Sequence, residues 1–145
     1  MARPHRLDKP EPRVAVAPAK DPARQAFRIL QVAFVLAPIV AGLDKFFGLL
    51  VNWDQYLAPS IAGMLPVAPH TFMMAVGVIE IIAGLVVAFR PYYGGYLVTL
   101  WLYGIIVNLL LARSYYDVAL RDFGLSLGAS ALARLSRRYG PLAVD

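Results

Sequence analysis

The sequence predicts an all-α fold: an integral membrane bundle of four helices behind an extended, Pro-rich N-terminal tail. Three observations lead there. The chain of 145 residues is 59% hydrophobic and only 16% charged, with mean hydropathy +0.60, whereas soluble domains devote roughly a quarter of their residues to Asp, Glu, Lys and Arg. Its apolar runs are longer than a compact soluble core would take. Its basic residues are unevenly placed: seven of the fourteen, Arg3, Arg6, Lys9, Arg13, Lys20, Arg24 and Arg28, fall within the first 28 positions.

Residues 1–24 read as a cytoplasmic tail, because Pro4, Pro10, Pro12, Pro18 and Pro22 interrupt any helix and the composition is polar. The tail is not a signal peptide, whose apolar stretch of ~7–15 residues ends at a small-residue cleavage site. Residues 25–135 form the bundle. A helix rises ~1.5 Å per residue, so ~20 residues cross a hydrocarbon core of ~30 Å. The first span runs from Ile29 to Val51, with Pro38 expected to kink it. Asn52 to His70 is an aromatic and Pro-rich loop without Lys or Arg, and Ile61–Val67 is a candidate for dipping into the interface. The second span is Thr71–Phe89, stopped at Arg90-Pro91 because proline disfavours a helical residue before it. Tyr92–Ala112 is the third span and Tyr115–Ala133 the fourth. Residues 136–145 are a short cytoplasmic C-terminal tail.

Orientation follows from the cations. With four spans, the N-terminal tail, the Arg90 turn and the Arg134, Arg137 and Arg138 end share one side, and the Asn52–His70 loop lies on the other. The positive-inside rule makes the basic side cytoplasmic, with both termini inside. Trp53, Tyr56, Tyr115 and Tyr116 are expected in the outer aromatic belt, Tyr92 and Tyr93 in the inner one. The net charge of +5 is mostly tail, and no basic face of a soluble fold accompanies it, so nucleic acid is not an expected partner.

Ionisable residues within spans are expensive and turn toward the bundle interior. The candidates are Asp44, Lys45, Glu80, Arg121 and Asp122, with the polar Asn108. Counted along their helices at ~1.5 Å per residue, they fall roughly 6–14 Å below the outer surface, one polar layer fed by all four spans. Lys45 with Glu80, and Arg121 with Asp44 or Asp122, are the expected pairs. Three readings stay open: a structural ion-pair network, a polar-floored cavity for a quinone or lipid-like molecule, and a proton or ion path.

Gly124 and Gly128 form a G-x-x-x-G pair and Gly77 and Gly84 stand two turns apart, which points to close helix packing. The absence of cysteine excludes disulfides, thiol catalysis and cysteine-ligated metal. His70 is a lone interfacial histidine, better suited to hydrogen bonding among headgroups than to ligating haem or chlorophyll. Tyr96, Trp101 and Tyr103 read as core or lipid-facing aromatics. No metal site and no catalytic residue is assigned.

Three segments carry a resemblance: Gly42-Leu43-Asp44-Lys45-Phe46, Gly77-Val78-Ile79-Glu80-Ile81-Ile82-Ala83-Gly84, and Asp117-Val118-Ala119-Leu120-Arg121-Asp122-Phe123-Gly124. Over roughly residues 25–135 the chain resembles the DoxX-like family of small four-helix bacterial membrane proteins. The resemblance implies a bundle in the bacterial cytoplasmic membrane and a loose link to quinone-coupled oxidation, since relatives include the membrane subunit of a thiosulfate:quinone oxidoreductase. The expected role is an accessory subunit of a larger respiratory or photosynthetic membrane complex, with no catalytic activity alone. The alternatives are a quinone-site subunit of an oxidoreductase and, third, a small-molecule transporter. The expected partners are the lipid bilayer and other membrane subunits, met through the tail and the small-residue helix faces. Quinone is the cofactor the polar layer would suit.

Overall fold

The computed structural model describes residues 21–141. The described chain is all-helical: α1 (Pro22–Phe47), a 3-10 turn (Trp53–Tyr56), a single-turn α2 (Pro59–Ala62), α3 (Pro69–Phe89), α4 (Pro91–Ala112) and α5 (Tyr116–Tyr139), with no strand among the described residues. Proline starts four of the five helices, at Pro22, Pro59, Pro69 and Pro91. Its missing N–H is no loss at the first helical position, and its φ is already helical. The proline that breaks a helix internally is thus used here to begin one.

Three helices, α1, α3 and α4, are long and apolar enough to cross a membrane. At ~1.5 Å per residue they measure roughly 39, 32 and 33 Å. The apolar stretch of α5 is interrupted by Asp117, Arg121 and Asp122; the helix buries Asp122, Ser126 and Ser136 and exposes Leu120, Phe123, Leu125 and Leu127.

The four long helices form a ring. The closest packing is within two pairs, α1 with α3 and α4 with α5, and the pairs join through α3–α4 and α1–α5. Small residues set the close approaches. A Cβ on Gly42 would stand 2.5 Å from the Gly77 carbonyl oxygen, and one on Gly77 would stand 2.6 Å from that of Gly42. One on Gly84 would meet Ile39 at 2.6 Å, and one on Gly95 would meet the Ala129 carbonyl at 2.8 Å. Thr99 Oγ1 donates to the Gly95 carbonyl within α4 at 2.8 Å and reaches across to α5, where it lies 3.1 Å from Ser130 Oγ. Phe27 and Phe34 of α1, Ala83 and Val87 of α3, Val98 of α4, and Ala129 and Leu132 of α5 make the apolar core. This core fills the end of the ring where α1 begins and α5 ends. At that end Tyr139 donates to Asp21 at 2.5 Å, and Gln31 Nε2 donates to the Ala88 carbonyl at 3.2 Å.

Several boundaries differ from those the sequence predicts. The first helix starts at Pro22, because Asp21 accepts from the Ala23 N–H at 3.0 Å and caps it. Residues 22–24 therefore belong to α1 and not to a tail; the rest of the expected Pro-rich tail, residues 1–20, lies outside the described residues. The same helix ends at Phe47, not Val51. Gly48 takes the left-handed conformation, φ 62°, and returns its N–H to the Asp44 carbonyl. Pro38 sits inside α1, which continues through it. At the other end α5 continues to Tyr139, so residues 136–139 are helix, while 142–145 lie outside the described residues. The Ile61–Val67 segment is mostly non-helical, with only its start in α2.

Candidate functional site

The candidate polar layer lies where α1 ends. Lys45 is in the last turn of α1, where a cation favours the negative end of the helix dipole. Its Nζ reaches Glu80 Oε2 on α3 at 2.6 Å, and the two side chains are only 2% and 9% exposed. Trp53 closes the pair from the loop side: its ring covers Lys45 Nζ at 3.7 Å from the centroid, a desolvated cation–π contact. The aromatic residue expected in the lipid belt is thus a lid over a buried cation.

Asp44 does not pair with Arg121. Its carboxylate accepts from the Trp53 indole Nε1 at 2.7 Å, from the Leu49 N–H at 2.8 Å and from the Leu50 N–H at 3.1 Å. An acid at a helix C-terminus opposes the dipole; here the N–H groups of the departing chain turn back to satisfy it. The same bonds aim Trp53 at Lys45. Asn108 fastens the far side of the loop, accepting from the Ala58 N–H at 2.9 Å and donating to the Tyr56 carbonyl at 2.6 Å. Asp54 lies 3.2 Å from His70 Nδ1, and Tyr56 packs edge-on to Tyr115 with centroids 4.8 Å apart. His70 is exposed, at the start of α3.

Arg121 parts company with the layer, and Asp122 stays in it. Asp122 is buried on α5, whereas the Arg121 side chain is 66% exposed and meets Asp122 only through Nε at 3.5 Å. Adjacent helix residues point about 100° apart, which is why one faces in and the other out. Asp122 is near enough to Glu80 to act on it as a like charge, and the buried Trp101 indole N–H is turned toward the same carboxylate at a geometry short of a full hydrogen bond.

The proposed packing glycines divide as well. Gly77 and Gly84 lie at the α1–α3 contact, and Gly128 faces the Phe34 ring at 3.2 Å. Gly124 packs on nothing, since a Cβ there would meet no atom within 4 Å, so it does not act with Gly128 as one packing surface. Gly42 and Gly95 make closer contacts than either; only the Gly42 position, one turn from Lys45, stood inside a segment already singled out.

The two hollows described lie at the end of the ring opposite the layer, one lined by Arg90, Pro91, Tyr92, Ser136 and Pro141, the other by Asp21, Arg24, Gln25, Arg28 and Ile29. No group of three or more His, Cys, Asp or Glu is placed to hold a metal ion among the described residues. What the site can do is hold one buried charge pair dry and anchor the loop above it. Comparison of the chain with family models, with curated proteins and with solved structures returns no match.

Proposed function

We propose that this chain is a small accessory subunit of a larger respiratory or photosynthetic membrane complex, without catalytic activity of its own. It spans a bacterial cytoplasmic membrane four times, with α5 as the fourth span and both termini cytoplasmic. Arg24, Arg28, Arg90, Arg134, Arg137 and Arg138 cluster at one end of the ring, which supports that orientation. Exposed Arg121 reaches the interface through its long side chain. The resemblance to the DoxX-like family over residues 25–135 supports the same architecture.

The observation that carries the reading is the internal use of the polar layer. Lys45 and Glu80 neutralise each other, Asp44 is taken by three N–H groups, and Asn108 by the loop backbone. These groups hold the bundle and its outer loop together and leave little for a substrate. The outward surface, in contrast, offers Gly104 and Gly124 with open space above them, positions where another subunit's helix can approach closely. Purification in mild detergent, followed by native gels and mass spectrometry, tests this. Stoichiometric comigration with larger subunits is expected, and a chain that runs alone after every gentle extraction refutes it. Deleting residues 2–20, the proposed docking arm, should weaken comigration and leave membrane insertion intact.

A quinone-site subunit is the second reading, and Trp101 favours it. A buried indole N–H beside Glu80, turned toward its carboxylate without a full hydrogen bond, is a donor of the kind that a quinone carbonyl accepts from. Glu80→Gln separates the two readings. Lost assembly with unchanged activity per complex supports the accessory role; lowered quinone-dependent electron transfer with intact assembly supports the quinone site.

A further inference from the structure

We infer that the inner end of α1 carries a binding site for the phosphodiester headgroup of an anionic phospholipid, held by Arg24 and Arg28 in the hollow that they line with Gln25 and Ile29. The inference rests on the chain being embedded in a membrane, and not on its having a partner complex.

Depth comes first. α1 has 26 residues, about 39 Å of helix against a hydrocarbon core of ~30 Å, an overhang of roughly six residues. The outer end of α1 is pinned under the Trp53 lid, where Lys45 and Asp44 are buried. The overhang therefore falls at the inner end and puts the first turn and a half among the headgroups. Helical side chains lean toward the N-terminus, so Arg28, one turn below Arg24, reaches back toward the headgroups.

Charge and shape agree with that depth. Arg24 and Arg28 are one turn apart on one face of the helix, with Cβ atoms ~6 Å apart, a spacing that lets two planar guanidinium forks share one phosphate. Both are exposed, and neither forms an ion pair with a described residue. The hollow they line is shallow and open to the surroundings, formed along one face of α1. Its one acid, Asp21, is already engaged: its carboxylate accepts from the Ala23 N–H at 3.0 Å and from the Tyr139 hydroxyl at 2.5 Å. Two other basic residues near this end of the ring are used differently, Arg137 donating to the Tyr92 hydroxyl at 3.2 Å and Arg138 stacking over Tyr139. The donors are side chains and not the helix terminus, since Pro22 has no N–H and the Ala23 N–H is capped.

An acyl chain has a track to follow. Ile29 forms the lower wall of the hollow and is 69% exposed; below it Val32 and Leu36 are 57% and 55% exposed, continued by Val40 and Leu43. The spacing of three, four, four and three residues makes one apolar stripe down the outside of α1. A headgroup site above an apolar stripe fits a lipid better than it fits a soluble phosphate.

The test uses the full chain in nanodiscs of phosphatidylcholine, titrated with phosphatidylglycerol and read by native mass spectrometry. Near an anionic surface each arginine is worth about a fivefold change in affinity, so Arg24→Gln/Arg28→Gln should retain the lipid about twenty-fivefold more weakly. Arg134→Gln, an exposed cation near the same end but outside the hollow, should change retention by no more than the roughly fivefold of one surface arginine. The single variants Arg24→Gln and Arg28→Gln serve if the double variant loses its helical circular dichroism. Equal retention by wild type and variants overturns the proposal, as does an Arg134→Gln loss as large as that of the double variant, or displacement of the lipid by equimolar glycerol 3-phosphate. Carbonate washing of native membranes is run in parallel. A chain that washes off refutes the embedded reading and the lipid site with it; a retained chain whose lipid binding ignores Arg24 and Arg28 refutes the lipid site alone.

Discussion

Replacing Lys45 with methionine would keep most of the side-chain volume and remove the charge. Glu80, 9% exposed and 2.6 Å from the lost ammonium, would be left without a cation, and the Trp53 ring would lose the charge that it covers at 3.7 Å. Stranding one partner of a buried pair typically costs ~3–5 kcal/mol, and a desolvated cation–π contact accounts for up to ~2 kcal/mol of the change. Glu80→Gln should fall toward the lower end of that range, because its amide oxygen still accepts from Nζ. The double variant Lys45→Met/Glu80→Gln strands no charge, and its loss should be smaller than the sum of the single losses by about 1–3 kcal/mol. Unfolding in mixed micelles by SDS titration, followed by helical circular dichroism, measures all three. Arg121→Gln is the control: its side chain is 66% exposed, and surface changes of that kind stay within about 0.5 kcal/mol. Strictly additive single losses would refute the argument that the two residues act as one buried pair.

Gly42→Ala should destabilise by about 1–3 kcal/mol in the same titration, because its Cβ would stand 2.5 Å from a backbone carbonyl that cannot step aside, whereas Gly104→Ala, with open space around it, should be neutral or slightly stabilising in the isolated chain. Asn108→Ala removes two bonds to the loop backbone and should cost about 1–3 kcal/mol; faster amide hydrogen exchange at Ala58 would report the released loop. The Tyr139–Asp21 tie makes a pH prediction. The Tyr139 hydroxyl and then the Ala23 N–H hold the Asp21 carboxyl below its usual 3.8, so that stabilisation is full above 3.8 and is lost as pH falls through the lowered value. The bond to Asp21 and burial push Tyr139 above 10.0, so its share is full below 10.0 and is lost as pH rises through the raised value. Ultraviolet titration should find one tyrosine with a midpoint above 10 that returns toward the ordinary value in Asp21→Asn. Reporter fusions at Asp145 and near Ser60 test the proposed topology, with an internal C-terminus and an external loop expected.

The sequence by itself determined the helices, because both the apolar runs and the prolines act locally. α3 and α4 are legible to within two residues: their hydropathy is continuous, and Pro69 and Pro91 mark their first turns. It also marked Lys45 and Glu80 as partners, since two opposite charges at one depth of an apolar bundle leave few other arrangements. Less visible were contacts between residues far apart in the chain. Asp44 has the charge to pair with Arg121, yet it is taken by N–H groups that come within reach only once Gly48 turns the chain back. Trp53 has the composition of a belt residue, and becomes a lid because Asp44 holds its indole. Gly124 and Gly128 share a motif but meet different surroundings, open space and the Phe34 ring. Tyr139 and Asp21 are 118 positions apart and meet only when the ring closes. Periodicity, charge and proline specify where helices lie and which polar groups share a level along them. Which side of each helix faces in, and so which of those groups touch, depends on how the four helices rotate against one another, and close packing across the whole bundle decides that at once.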